Sequence, residues 1–220
     1  MEMMPFNNVV ATGHEPLIAT SCLQTASPEW QAFVPLLMNR TTRLRELQIS
    51  DAPWLLSLLA TEEVSRFISP PPTTVQGFEQ FIRWSHQKRA AGTYVCFGIV
   101  PAGYDHAVGI FQIQYKPGEL PEWGFAMGSD FWGTGLFVEG AEAVLDFAFG
   151  EMGLQAVGAR AAIENLRGNG ALQKLGAVRQ GVIPNGLVLD GRSYDQYYWT
   201  LSADGRPRKK VVWDLGTHTH

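Results

Sequence analysis

Between residues 94 and 152 the hydrophobic pattern changes from that of strands to that of a helix, and this change limits the possible folds most strongly. Three apolar runs come first, at residues 94–100, 107–115 and 122–127, and segments containing proline and glycine separate them. This pattern predicts an antiparallel meander. From residue 135 to 152 the apolar residues recur at helical spacing instead. We therefore expect an α+β fold in which a crossover helix follows the meander.

Shorter predicted elements flank this central segment. The run TTRLREL, beginning at Thr41, is typical of a strand. The sequence Ser50-Asp51-Ala52-Pro53 then offers a capping side chain and an early proline, which together predict the start of a helix. The remaining predicted elements are a helix at 74–91, a strand at 156–163, a short helix at 168–176, and two strands at 186–190 and 194–201.

The first part of the chain has no sustained hydrophobic period, apart from a helical stretch at residues 28–38. We interpret residues 1–39 as an N-terminal extension, residues 40–203 as the domain, and residues 204–220 as a C-terminal tail. The length of 220 residues fits one substantial core.

Composition excludes several classes of function. The formal net charge is −4 and the basic residues are scattered outside the tail, which argues against nucleic-acid binding. Cys22 and Cys96 are far apart and form no Cys-x-x-Cys pair, so we expect no disulfide framework and a cytoplasmic location. No two histidines form a metal-binding pair, and no apolar run approaches about 18 residues. Neither a metal nor a membrane partner is expected.

The segment from Glu122 to Glu139 has the order strand, glycine-containing turn and helix start. A helix start presents free backbone N–H groups and a partial positive charge, which suit a phosphate group. Gly133 and Gly135 would let a ligand approach the backbone closely, although two glycines in a turn are more often part of an ordinary turn. Neither a Walker A motif nor a dinucleotide fingerprint is present.

Four short motifs give the chain a more specific resemblance. They are Glu122-Trp123-Gly124-Phe125, then Trp132-Gly133-Thr134-Gly135-Leu136-Phe137-Val138-Glu139-Gly140, then Asn165-Leu166-Arg167-Gly168, and finally Lys174-Leu175-Gly176. In order and spacing, residues 41–202 resemble the GNAT superfamily of N-acetyltransferases, in the branch that contains the ribosomal-protein-alanine N-acetyltransferases. The resemblance implies a GNAT fold, with a mixed, mostly antiparallel central sheet of about six to seven strands and helices on both faces.

The same resemblance implies acetyl-CoA as the co-substrate and assigns its binding residues. Backbone N–H groups of the turn would hold the CoA pyrophosphate, and they belong to Trp132, Gly133, Thr134, Gly135, Leu136 and Phe137. The end of the preceding strand, Ala126 and Met127, would pair with the pantetheine arm as an added strand does. Asn165 would bond an amide of the arm, or would cap the helix that follows, and these two roles are compatible.

The resemblance also implies that Glu122 is the general base, acting directly or through water. One position departs from the branch: Gly168 stands where a serine is usually proposed to protonate the leaving CoA thiolate. Another hydroxyl or water would have to take that role, and the candidates in the last strand, Tyr194, Tyr197 and Tyr198, are also typical packing residues.

The expected reaction is direct transfer of an acetyl group to a primary amine, with a protein N-terminal amine favoured as the acceptor. An α-amine with a pKa near 8 is roughly a tenth neutral at pH 7, whereas a lysine amine with a pKa of about 10.4 is almost fully protonated. Two alternatives stay open: a small-molecule amine as the acceptor, and a module that binds acyl-CoA as a sensor without turnover. A homodimer is also left open.

Overall fold

The computed structural model describes residues 29–115 and 118–204, so Cys22 and most of the predicted tail lie outside the described residues. Within these ranges one eight-stranded sheet has the order β1-β2-β3-β4-β5-β6-β8-β7. The strands are β1 Leu37–Met38, β2 Thr42–Glu46, β3 Tyr94–Pro101, β4 Gly109–Gln114, β5 Glu122–Met127, β6 Ala156–Ala162, β7 Val178–Leu189 and β8 Arg192–Ser202. The helices are α1 Glu29–Ala32, α2 Ala52–Leu59, α3 Glu62–Ser65, α4 Val75–Ala90, α5 Leu136–Gly150 and α6 Leu166–Lys174.

The predicted α+β fold with its meander and crossover helix is confirmed, and the sheet has eight strands where about six to seven were expected. The additional strand is β1, which pairs with β2 at the edge of the sheet. It replaces the end of the helix predicted at 28–38, of which only α1 forms. Pro35 explains the early end, because proline lacks a backbone N–H and disfavours a helical conformation in the residue before it.

Asp51 is fully buried, but its side chain does not cap α2 as the sequence suggests. Instead its carboxylate accepts two hydrogen bonds from the Arg45 guanidinium, at 2.7 and 2.9 Å. It also accepts the backbone N–H groups of Gln48 and Ala107, at 2.7 and 2.9 Å. This set of bonds joins β2, the start of α2 and the β3–β4 connection, and it satisfies a charge that would otherwise be costly to bury.

Alternate residues of the central strands form two separate cores, one on each face of the sheet. The first contains Cys96, Ile110 and Ala126 from the strands, together with apolar residues of α2 and α4. The second contains Phe111, Trp123 and Val157 from the strands, together with apolar residues of α5 and α6. We call these the α2/α4 face and the α5/α6 face.

At the centre of the sheet, β5 and β6 pair over a single position, Glu122 with Gly158. This is the one parallel pair among the described strands, since every other neighbouring pair is antiparallel. Beyond it the two strands separate, and their carboxyl ends lie at the same edge of the sheet. The turn leading to α5 and the start of α6 therefore both adjoin the gap between β5 and β6.

Candidate active site

A pocket occupies the gap between β5 and β6. Its lining residues are Phe67, Ile68, Ser69, Ile110, Gln112, Trp123, Gly124, Phe125, Ala126, Arg160, Ala161, Asn165, Gly168, Leu187 and Gln196. Gln112 pairs with Gly124 across β4 and β5, so both belong to the α2/α4 face. Trp123 and Ala161 belong to the core of the α5/α6 face. The lining therefore draws on both sides of the sheet, so two ligands could meet from opposite faces.

One backbone edge of β5 faces this gap. The N–H of Gly158 donates to the carbonyl of Pro121, at 2.8 Å, so the odd-numbered residues of β5 direct their backbone groups towards β6. Beyond the paired position these are Phe125 and Met127, and the Met127 carbonyl already accepts the indole N–H of Trp132, at 2.9 Å. An extended ligand could hydrogen-bond to Phe125, while the side chain of Ala126 lines the pocket.

The turn before α5 offers a row of unused donors. The N–H of Trp132 is occupied, since it donates to Ser129 O at 3.0 Å. For the backbone N–H groups of residues 133–138, no hydrogen-bond partner lies within the described ranges 29–115 and 118–204. Gly133 and Gly135 have φ angles of 76° and 90°, a left-handed conformation that favours glycine. Such a turn at a helix N-terminus is suited to bind an anion.

Side chains of the predicted turn residues have structural roles. Thr134 donates its hydroxyl to Phe131 O at 2.7 Å, which closes the turn. Leu136 is buried in the core of the α5/α6 face, and the ring of Phe137 lies 4.7 Å from that of Phe125. The predicted contribution of these residues to ligand binding is therefore through the backbone.

Asn165 lines the pocket and also caps α6, since its Oδ1 accepts the N–H of Gly168 at 2.9 Å. Its Nδ2 makes no hydrogen bond to any described residue and could donate to a ligand carbonyl. A Cβ added at Gly168 would lie 2.6 Å from this Nδ2. A side chain at position 168, such as the serine usual in the related branch, would thus meet the side chain of the capping Asn165.

Glu122 lies at the base of the gap and is 6% exposed. Its Oε1 is 3.9 Å from Nε of Arg160, and that Nε makes no hydrogen bond to a described residue. Arg160 lines the pocket, whereas Glu122 is not among the lining residues. As a base for a ligand in the pocket, Glu122 would therefore have to act through water.

Of the three candidate tyrosines, Tyr198 is the one beside Glu122 and Arg160. It pairs with Arg160 across β6 and β8, and a Cβ added at Gly158 would lie 2.8 Å from its hydroxyl. Burial raises the pKa of Tyr198, and the nearby Arg160 guanidinium partly opposes this increase. The hydroxyl thus stays protonated at neutral pH. By contrast, Tyr194 packs edge-on against Phe67, and the ring of Tyr197 lies under Arg179.

Sequence reasoning missed several polar residues of the pocket. Gln112 accepts the hydroxyl of Tyr94 on the buried α2/α4 face. Gln196 is 5% exposed, and its Oε1 has no hydrogen-bond partner among the described residues. Arg160 has a signal in the sequence, because a charged residue interrupts the otherwise apolar strand β6. The two glutamines have none, since their proximity depends on strands far apart in the chain.

The described residues contain neither a cluster of metal ligands nor a candidate membrane-spanning helix. No group of three or more His, Cys, Asp or Glu side chains among them could hold a metal ion. Within the described parts of the chain, no helix has both the length and the apolarity needed to cross a membrane.

The gap between β5 and β6, together with the adjacent turn of unbonded backbone N–H groups, is typical of a class of acyltransferases. Residues 42–178 match the Acetyltransferase (GNAT) domain family, which is more than half of the 220 residues, and the chain belongs to this family. It is an N-acetyltransferase of the GNAT type, as the resemblance in the sequence predicts.

Individual relatives agree with this assignment. The N-acetyltransferase p20 of Bacillus licheniformis is 24% identical over 168 residues, covering 75% of this chain and 94% of that protein. RimJ of Mycobacterium smegmatis in complex with CoA-disulfide has a TM-score of 0.68 and 20% identity, covering 79% of this chain and 88% of its own. The ribosomal-protein-S5-alanine acetyltransferase of Vibrio fischeri also has a TM-score of 0.68, with 17% identity and coverage of 78% and 99%. At these identities the two structures show a shared fold.

Proposed function

We propose that this protein transfers the acetyl group of acetyl-CoA directly to the α-amine of a protein or peptide N-terminus. The observation that carries the proposal is the row of unbonded N–H groups at residues 133–138, next to a gap in the sheet. The turn would bind the CoA pyrophosphate, and the pantetheine arm would extend along β5 with its carbonyl near Asn165. The thioester would then lie in the pocket.

The acceptor amine would enter from the α2/α4 face. Its nitrogen attacks the thioester carbonyl, a C–N bond forms, and the C–S bond breaks to release the CoA thiolate. Glu122 takes the proton of the attacking amine through water, and a protonated group returns a proton to the thiolate. Tyr198 is the proposed proton donor, because its hydroxyl is protonated at neutral pH and it lies beside Glu122 and Arg160.

The polar groups of the pocket favour an α-amine over a polyamine. The pocket is lined by Arg160, amides and a hydroxyl, and no carboxylate is among its described lining residues. A polycationic acceptor would meet the Arg160 guanidinium, with one carboxylate, Glu122, close to it but outside the lining. A peptide carbonyl next to the amine would instead accept a hydrogen bond from Arg160. An α-amine also loses its proton more readily at neutral pH than an amine with a pKa of about 10.4, since its own pKa is near 8.

A small-molecule amine remains the second candidate, because Phe67, Ile68 and Ser69, from the segment after α3, also line the pocket and could contact a compact acceptor. The third, a sensor without turnover, is favoured by Gly168, which removes the usual proton donor.

Calorimetric titration with acetyl-CoA tests the proposal, with desulfo-CoA as a non-reactive ligand and ATP as a control for unspecific phosphate binding. We expect micromolar binding of both CoA ligands and none of ATP. Release of the CoA thiol is then measured with a tripeptide, its N-blocked form and spermidine as acceptors. Turnover with the free tripeptide alone supports the α-amine, turnover with spermidine alone favours a small amine, and binding without turnover favours the sensor. Absence of CoA binding would overturn the proposal.

A further inference from the structure

The proposed pyrophosphate turn lacks a cationic side chain. Residues 118–159 contain no lysine, arginine or histidine, and the turn itself includes Asp130. The diphosphate of CoA carries about two negative charges, which six neutral amides and a helix dipole balance only in part. A cation from elsewhere in the chain would complete the site.

Arg167 is brought to the turn by the tertiary structure. It lies in the first turn of α6, which begins at the same edge of the sheet as the turn before α5. Its guanidinium carbon is 4.2 Å from the centroid of the Trp132 ring. Trp132 is held in turn by the hydrogen bond from its indole to Met127 O, at 2.9 Å. The indole thus holds a guanidinium against the residue that directly precedes the unbonded amides.

The chemistry of this contact leaves Arg167 able to bind an anion. A guanidinium that lies over an aromatic ring keeps N–H groups that the ring does not occupy, so these remain available to an anion. Arg167 is exposed, and it forms no ion pair with a carboxylate among the residues that the structure describes. Paired N–H groups in a plane match the geometry of two phosphate oxygens.

We infer that Arg167 pairs with the diphosphate of CoA and supplies the cation that the turn itself lacks. This inference rests on the proposed binding of CoA. It assigns a role in ligand specificity to a residue of α6, the helix that follows β6, whereas the glycine turn follows β5.

Calorimetry on the full chain tests the inference with Arg167→Gln, Arg167→Lys and Arg179→Gln. The last is a matched control, since Arg179 is also exposed and its guanidinium lies 4.7 Å from the centroid of Tyr197. The ligands are CoA, dephospho-CoA and acetyl-pantetheine, which lacks the diphosphate. We expect Arg167→Gln to raise the Kd of CoA and dephospho-CoA about tenfold and to reduce the salt dependence of both. The Kd of acetyl-pantetheine should not change, and Arg167→Lys should recover part of the loss.

Each other outcome has a defined meaning. If Arg167→Gln and the unsubstituted protein bound CoA with the same affinity, the inference would be overturned and the proposed function would stay intact. A loss for CoA but not for dephospho-CoA would assign Arg167 to the 3′-phosphate and overturn the diphosphate contact. Equal losses for acetyl-pantetheine would indicate damage to the pocket and would also overturn the diphosphate contact. If the original protein bound no CoA ligand, the proposed function itself would fail.

Discussion

Gly135 occupies a position where the backbone conformation limits the side chain, although the surrounding space is open. Its φ of 90° is strained for any other residue, and no atom lies within 4 Å of a Cβ added there. We expect Gly135→Val to weaken CoA binding at least about 100-fold, because the valine side chain would fill the space needed by the pyrophosphate and distort the turn. Calorimetric titration measures this loss.

Gly191 provides the matched control for that variant. It has a φ of 78° and equally open surroundings, but it lies in the β7–β8 turn. Gly191→Val should cost similar stability, of about 1–2 kcal/mol, and leave CoA affinity unchanged. Normal CoA affinity in Gly135→Val would contradict the anion site.

Glu122 is tested by a neutral substitution of the same shape. We expect Glu122→Gln to lower kcat about 100-fold, since the amide cannot take the proton of the attacking amine, and to change the Kd of CoA less than about twofold. The loss should diminish as the pH rises from 6 to 8, because the substrate amine then loses its proton to the solvent. Full activity in this variant would remove Glu122 as the base.

The control for this change is Glu142→Gln, on the exposed surface of α5. A purely structural effect of Glu122→Gln would lower the activity equally at all pH values. The pH profile therefore separates proton transfer from loss of the contact with Arg160.

At the scale of elements, Asn169 holds α6 against the sheet. Its Nδ2 donates to the carbonyls of Ala162 and Asn165, at 2.8 and 3.0 Å, and its Oδ1 accepts the indole N–H of Trp199 at 3.0 Å. The side chain is 7% exposed, so removal would leave several buried polar groups without partners. We expect Asn169→Ala to lower the free energy of unfolding by about 2–4 kcal/mol.

Because α6 carries Arg167 and is capped by Asn165, the same change should also weaken CoA binding. Chemical denaturation measures the stability, and calorimetry at a temperature where the variant is folded measures the affinity. The control is Gln173→Ala, at an exposed position one helical turn further along α6. Unchanged stability in Asn169→Ala would show that α6 is held by its apolar contacts alone.

At the scale of the whole molecule, the boundary predicted at residue 39 becomes testable. The segment before it contributes Trp30, Val34 and Leu37 to the core of the α5/α6 face, with exposures of 3%, 9% and 2%. A variant lacking residues 1–39 should lose about 5–9 kcal/mol of stability, since each of these three apolar side chains contributes about 1.5–3 kcal/mol when buried. Urea unfolding measures the loss, and a variant lacking only residues 1–28 is the control. Equal stability of both variants would confirm residue 40 as the start of the domain.

The sequence predicts those features that depend on interactions between residues close together in the chain. The meander, the helix α5, the glycine turn and the cap at Asn165 are determined by residues close together in the chain, because hydrophobic period, turn chemistry and capping act locally. The helix predicted to residue 38 was wrong beyond Ala32, because pairing with β2 and a proline at position 35 outweigh the helical spacing.

The tertiary structure alone decided which distant groups meet. Arg160, Gln112 and Gln196 form one pocket because β4, β6 and β8 are arranged around the gap beside β5, which no local pattern encodes. Asp51 binds Arg45 and the backbone N–H of Gln48 instead of capping α2, and Arg167 lies against Trp132, for the same reason. By itself the sequence determined the family, the turn and its backbone chemistry, since these depend on neighbouring residues. The side chains that line the pocket and surround the turn depend on long-range strand pairing and helix packing, which only the folded chain fixes.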